Sequence, residues 1–126
     1  MELLSFLEFI DMELIVIIGL ITHWCADFIL QTDWQAKNKS KNNGALISHT
    51  LIYSMCWVTM VPFLIEKVVL FIFITFIFHT ITDYYSSRAS SYFIRRGDTH
   101  NFFVIIGLDQ TLHMIQLFLT FVYLSW

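Results

Sequence analysis

Four apolar runs, each about as long as a bilayer's hydrocarbon is thick, constrain this chain more than any other feature. They cover residues about 14–31, 45–65, 68–86 and 102–124. A helix rises 1.5 Å per residue, so ~20 residues cross ~30 Å of hydrocarbon. The runs show no period-two alternation, and open sheet edges are not viable in lipid, so helices are the expected elements. Only 13% of the 126 residues are charged and the mean hydropathy is +0.68. Soluble domains carry about 25% charge, so this chain cannot coat a water-soluble surface. Disorder, a coiled coil and an ordinary cytosolic enzyme are thereby excluded. The expected fold class is all-α: a single integral-membrane domain, built as a four-helix up-down-up-down bundle. Pro62, near the end of the second run, is expected to kink or terminate it. Only Glu66-Lys67 joins the second run to the third, which predicts a tight antiparallel hairpin.

The basic residues set a direction. Lys37, Lys39 and Lys41 fall in the first connection, and Arg88, Arg95 and Arg96 in the third. Six of the seven Lys and Arg thus share one side, with Lys67 alone on the other. The positive-inside rule puts the basic side in the cytoplasm and both termini outside, as in a multi-pass inner-membrane protein. Trp126 and Tyr123 suit an aromatic belt at one interface, and Trp34 and Tyr84 at the other. Tyr92, Phe93 and Ile94, beside the arginines, predict a short interfacial helix that Gly97 stops. The N-terminus lacks the basic region and small-residue cleavage site of a signal peptide. Its acids, Glu2, Glu8, Asp11 and Glu13, form an acidic lead-in. A net charge of −3 gives no electrostatic case for nucleic acid. Cys25 and Cys56 lie in apolar runs with no CxxC pair and read as packing.

Ionisable residues inside spans are costly and rare, so each points to function. Here there are seven: His23 and Asp27, His49, His79 and Asp83, and Asp109 and His113. Three runs hold a His and an Asp four residues apart, which places each pair on one helix face. The order is His-x-x-x-Asp in runs one and three and Asp-x-x-x-His in run four. Reversing a helix reverses the order, so the pairs match in depth. Asp27, Asp83 and Asp109 are expected nearer the cytoplasm, with His23, His79 and His113 one turn deeper and His49 level with the aspartates.

His nitrogen and Asp oxygen are ligands of Zn, Mn and Fe. Seven donors suit one or two divalent ions, and helical bundles are known to hold such carboxylate–histidine sites. Two ions against three carboxylates leave a small net charge that a low-dielectric site tolerates. Gln31, Tyr53, Gln110 and Gln116, with Thr120, lie on the same stripes, where they can accept the second N–H of a ligating His.

The segment HWCADFILQTDWQAKNKSKN, with LISHTLIY, FHTITDYY and LDQTLHMIQL, resembles an uncharacterised family of small bacterial and phage membrane proteins, a domain of unknown function. The H-x-x-x-D-F-x-L-Q stretch from His23 to Gln31 is its most specific part, and Gln110 and His113 match the D-Q-x-x-H segment. The pattern is also loosely similar to inner-membrane proteins described as metal-dependent hydrolases. This resemblance implies a shared site but no substrate.

The leading expectation is a membrane-embedded, metal-dependent hydrolase whose site faces the cytoplasm. Its substrate would be a phosphoester, a small molecule or a lipid-like amphiphile. Asp27 or Asp83 would act as general base if not a ligand, and Arg88, Arg95 or Arg96 would steer an anionic head group. Two alternatives stand beside it. One is a metal or proton transporter or channel, which a homo-oligomer could build between subunits. The other is a non-enzymatic membrane interaction protein locked by a structural metal.

Overall fold

The structure, a computed structural model, describes residues 2–126, with side chains from residue 12 onward. The side chains of Glu2, Glu8 and Asp11 in the acidic lead-in lie outside the described residues. The chain is all-helical, with no strand among the described residues. Helix α1 is Glu2–Trp24 and continues as a π-helical turn, Cys25–Ile29. Helix α2 is Asp33–Asn38 and α3 is Asn43–Cys56. A 3-10 turn, Trp57–Met60, leads into the one-turn helix α4, Val61–Leu64, and a second 3-10 turn, Ile65–Lys67. The two long final helices are α5, Val68–Arg95, and α6, Thr99–Ser125.

Local sequence explains these boundaries. Thr32 and Gln35 make a reciprocal capping box: Thr32 Oγ1 accepts from Gln35 N at 3.2 Å, and Gln35 Oε1 accepts from Thr32 N at 2.9 Å. That box starts α2 inside a connection whose polar composition alone suggests only a loop. Asn42 caps α3 by accepting from Gly44 N and Ala45 N. Asp98 caps α6 by accepting from Asn101 N. Hydrogen bonds from the Asn101 side chain and backbone hold Asp98 below the ordinary aspartate pKa. This cap is therefore complete at neutral pH and weakens only as pH falls through that lowered value. Pro62 sits in the first turn of α4, where its missing N–H costs nothing. The preceding helix cannot run through it, and the chain reverses at Ile65, whose φ is 32°.

The expected interfacial helix is corrected. Tyr92, Phe93 and Ile94 continue α5 without a break, because no Gly or Pro interrupts residues 86–95. At 28 residues α5 is about 42 Å long, longer than the ~30 Å hydrocarbon layer. Gly97, with φ 73°, closes α5 where the sequence predicts. A Cβ there would meet nothing within 4 Å. Gly97→Ala should therefore cost ~1 kcal/mol through left-handed backbone strain alone. A thermal melt that is unchanged would contradict this reading of the stop.

Contacts between the long helices run in opposite order along the chain. Thr22 meets Thr59 and His23 meets Tyr53. Thr50 meets Thr80, and Trp57 packs edge-on against Phe71. Thr75 meets Gln116, and His79 stacks on His113. The interior is polar in one half, holding Asp27, His49, Thr50, His79, Asp83 and His113. The other half is an apolar core that includes Trp57, Met60, Leu64, Phe71, Leu117 and Leu124. The outward faces carry large apolar side chains such as Ile17, Met55, Val69, Phe73 and Phe118. Exposed apolar surface on this scale needs an apolar partner. Three helical stretches are long and apolar enough to cross a membrane: Met12–Ile29, Asn43–Arg95 and Thr99–Ser125. The second stretch has 53 residues and folds back at Ile65, so it holds two of the four apolar runs.

Candidate metal centre

The π-helical turn begins the site. Leu30 N donates to Cys25 O at 2.9 Å, five residues back. Such a widened turn inside a helix is a frequent feature of functional sites. Asp27, at its centre, is buried and points toward α3, α5 and α6. Its Oδ1 lies 3.1 Å from His49 Nε2 and 3.6 Å from His79 Nε2. The two Nε2 atoms are 3.5 Å apart. Asp83 completes the group, its oxygens 3.4 Å from His49 Nε2 and 3.7 Å from His79 Nε2.

These spacings have a chemical meaning. Two facing imidazole nitrogens share at most one hydrogen between them, and neither finds a short bond there. A tetrahedral cation bound at ~2.0–2.1 Å holds its ligand atoms about 3.3 Å apart. The Asp27–His49–His79 triangle, with sides of 3.1, 3.5 and 3.6 Å, has the size of one face of that tetrahedron. Asp27, His49, His79 and Asp83 are all buried and could hold a metal ion.

A second group, Asp27, Asp109 and His113, shares Asp27 with the first. Its carboxylates already have protein donors. Gln110 Nε2 donates to Asp27 Oδ2 and to Asp109 Oδ2, each at 3.0 Å. Ser86 Oγ donates to Asp109 Oδ1. Asp83 of the first group is likewise served, by Lys39 and His113, so the two groups differ in that the first brings two histidine nitrogens face to face.

His23 enters the cluster differently from the other histidines. Both ring nitrogens are engaged, Nδ1 with Tyr53 Oη at 2.7 Å and Nε2 with Gln110 Oε1 at 2.8 Å. It positions Gln110 and Tyr53, and its Nε2 stays 3.9 Å from Asp27 Oδ2. Tyr53 in turn stacks on His79, with centroids 3.7 Å apart, and His79 stacks on His113 at 4.1 Å. Stacking on both faces fixes the His79 ring, whose Nδ1 has no partner among the described residues.

Lys39 is the residue that the sequence reading misses. Its Nζ lies 2.8 Å from Asp83 Oδ2, while His113 Nε2 lies 3.2 Å from Asp83 Oδ1. Helix α2 delivers it, and Gln35 ties α2 to α3 through Ser48 at 3.1 Å. Burial alone would lower the Lys39 ammonium pKa, but the Asp83 and Asp27 carboxylates outweigh burial and hold it above the ordinary lysine value. The available signal was the Thr32-x-x-Gln35 capping box, which turns the lysine stretch from a loop into the end of a helix. Ser86 was missed as well, because it lies beyond the i,i+4 stripe.

The other expected residues take varied places. Gln31 Nε2 reaches the Asp27 backbone carbonyl at 2.8 Å. Gln116 bonds Thr75 and Thr120, one turn away from the cluster. Arg88 lies over Tyr84 and donates to Asn43 Oδ1, and Arg96 donates to the Tyr92 hydroxyl. Arg88, Arg95 and Arg96 make no ion pair with the cluster among the described residues; Lys39 makes the one to Asp83.

Residues 15–126 match a family described as a protein of unknown function (DUF3307). The chain belongs to this family. The matched segment takes in every residue of the cluster, Lys39 included. No curated protein and no solved structure matches the chain.

Proposed function

We propose that the chain is an integral-membrane, metal-dependent hydrolase with four crossings in an up-down-up-down bundle. In this reading residues 1–126 form one domain of the inner membrane, the site faces the cytoplasm and both termini lie outside. The opposed order of the interhelical contacts supports the bundle. The outward apolar faces support insertion, and the basic connections support the orientation. The observation that carries the activity is the Asp27–His49–His79 triangle, sized for one divalent cation. Two histidines and one carboxylate on one face of an ion leave other positions free.

A divalent zinc, manganese or iron ion would polarise the scissile bond and activate water. The protein's own groups do the rest. Asp83 stands beside the fourth corner and is the best-placed general base. Lys39 and His113 hold its two oxygens and fix its direction. His113 Nε2 lies 3.2 Å from Asp83 Oδ1 and 3.4 Å from Asp109 Oδ2, so one ring nitrogen can bond either carboxylate. Formal charge favours one ion. Three carboxylates and one ammonium leave two negative charges, which one divalent cation cancels. Arg88, at the start of the basic mouth, would draw in a phosphate-bearing substrate.

Conduction is the weaker reading. A pathway needs polar groups across the whole thickness. Here the half of the interior from Trp57 to Leu124 is lined mainly by apolar side chains.

The test is phosphate release from an anionic phospholipid by protein in nanodiscs, with zinc, manganese or iron supplied in turn. Turnover should need one of these metals. It should fall by ~100-fold or more in Asp83→Asn, in line with loss of a general base. A metal-loaded wild type with no turnover on phosphate esters, but with a proteoliposome flux that needs His79, would replace hydrolysis with transport.

A further inference from the structure

His79 Nδ1 and Gln116 Oε1 are buried polar atoms, and each lacks a hydrogen-bond partner among the described residues. We infer that one buried water bridges them, and that Gln116 thereby positions His79 for the cation. This rests on the metal reading of His79 and adds a residue to the same site.

The fold brings the two atoms to one turn of the bundle. The two nitrogens of an imidazole point away from each other. His79 Nε2 faces Asp27, His49 and Asp83, so Nδ1 faces the turn on the far side of the ring. Side chains of a helix lean toward its N-terminus, which lays the His79 ring over the turn that begins at Thr75. Gln116 enters that turn from α6, where its Nε2 donates to Thr75 Oγ1 at 3.3 Å and to Thr120 Oγ1 at 3.0 Å. Gln116 also follows His113 by about one turn, and His113 stacks on His79 with centroids 4.1 Å apart.

A buried donor or acceptor left unbonded is costly. A water here accepts from the His79 Nδ1–H and donates to Gln116 Oε1. Thr75 is fully buried, and its Oγ1 accepts from Gln116, which leaves its own hydrogen for the same water. Three polar partners are typical of a buried water. The bridge decides which nitrogen of the neutral ring carries the hydrogen, because the bond at one nitrogen sets the state of the other. With the hydrogen on Nδ1, Nε2 offers its lone pair to the Asp27–His49–His79 triangle, the form that a cation needs. The competing form carries the hydrogen on Nε2, turned toward Asp27 Oδ1 and Asp83 Oδ1 at 3.6 and 3.7 Å, and blocks that position. Gln116 stands one turn from the triangle and acts through His79, as a positioning residue.

Nitrogen NMR of the full chain in nanodiscs reads the tautomer directly, with isotope-labelled histidine and the His79 signals assigned by their loss in His79→Asn. In the metal-free wild type His79 should carry its hydrogen on Nδ1, with an exchange cross-peak to a bound water. Gln116→Met keeps the length of the side chain and removes the acceptor. It should move the His79 signals toward the Nε2–H form and lower zinc affinity by ~10–100-fold, measured by competition with a chromophoric chelator. Gln116→Glu keeps an acceptor in place and should keep Nδ1 protonated. Thr75→Val, close to the same shape, removes one partner of the water and should shift the signals in the same direction as Gln116→Met; it carries the test if that variant fails to fold. A wild-type His79 protonated on Nε2 alone would overturn the inference. So would a folded Gln116→Met that changes neither tautomer nor zinc affinity. Nδ1–H without a cross-peak to water would overturn the bridge. A wild type that shows Nδ1–H and its water but takes up no zinc contradicts the metal centre and leaves the water site standing.

Discussion

Asp27→Asn is expected to strip the protein of bound metal while leaving the helices in place. The substitution keeps the shape of the side chain and removes its charge. Asp27 Oδ1 is a vertex of the triangle with His49 and His79, and Oδ2 accepts from Gln110. Changing a group that merely supports a ligand costs ~10–100-fold in metal affinity, and losing a ligand charge should cost more. Asp109→Asn is the control. Its carboxylate is already served by Gln110 and Ser86, so that variant should keep its metal. Equal loss in both variants would move the cation toward the second group. Retention in both would remove it from the cluster.

Metal should also raise thermal stability steeply, and Lys39 should govern by how much. Like charges ~4 Å apart repel by about 4 kcal/mol at an effective dielectric near 20. Without an ion, the Lys39 ammonium is the one fixed cation paired with these carboxylates among the described residues. A ligand at ~1,000 times its Kd adds about 4 kcal/mol to the folded state. For a domain of this size that is a Tm rise of roughly 10–20 °C. Removing one partner of a buried ion pair costs ~3–5 kcal/mol. Lys39→Met should therefore lower the metal-free Tm strongly and the metal-loaded Tm much less, since a bound cation takes over the charge on Asp83. Paired melts with and without chelator read this directly. An equal drop in both states would make Lys39 a packing residue and no part of the charge balance.

Much of this arrangement is legible in the sequence because membrane spans leave few places for charge. The i,i+4 spacing of His79 with Asp83, and of Asp109 with His113, reports helix faces directly, and the structure gathers both pairs into one cluster. The i,i+4 rule gives His23 a shared face with Asp27 but cannot say that its nitrogens are taken by Tyr53 and Gln110. The π-helical turn that aims Asp27 leaves no pattern in residue types, since Cys25–Ile29 would serve equally well as ordinary helix. Lys39 sits in a segment whose charge reads first as a topology signal, and only its fold-back on Asp83 gives it a second use. Tyr92, Phe93 and Ile94 end α5 instead of forming a helix of their own, and amphipathic composition near a membrane surface does not distinguish the two.

Elemental analysis of the chain purified without chelator is the most direct test of the metal centre. One transition-metal ion per chain, kept by Asp109→Asn and lost by Asp27→Asn, is the result expected from the His49–His79–Asp27 triangle. A wild-type protein that holds no transition metal, even after incubation with zinc, manganese and iron in turn, would contradict it.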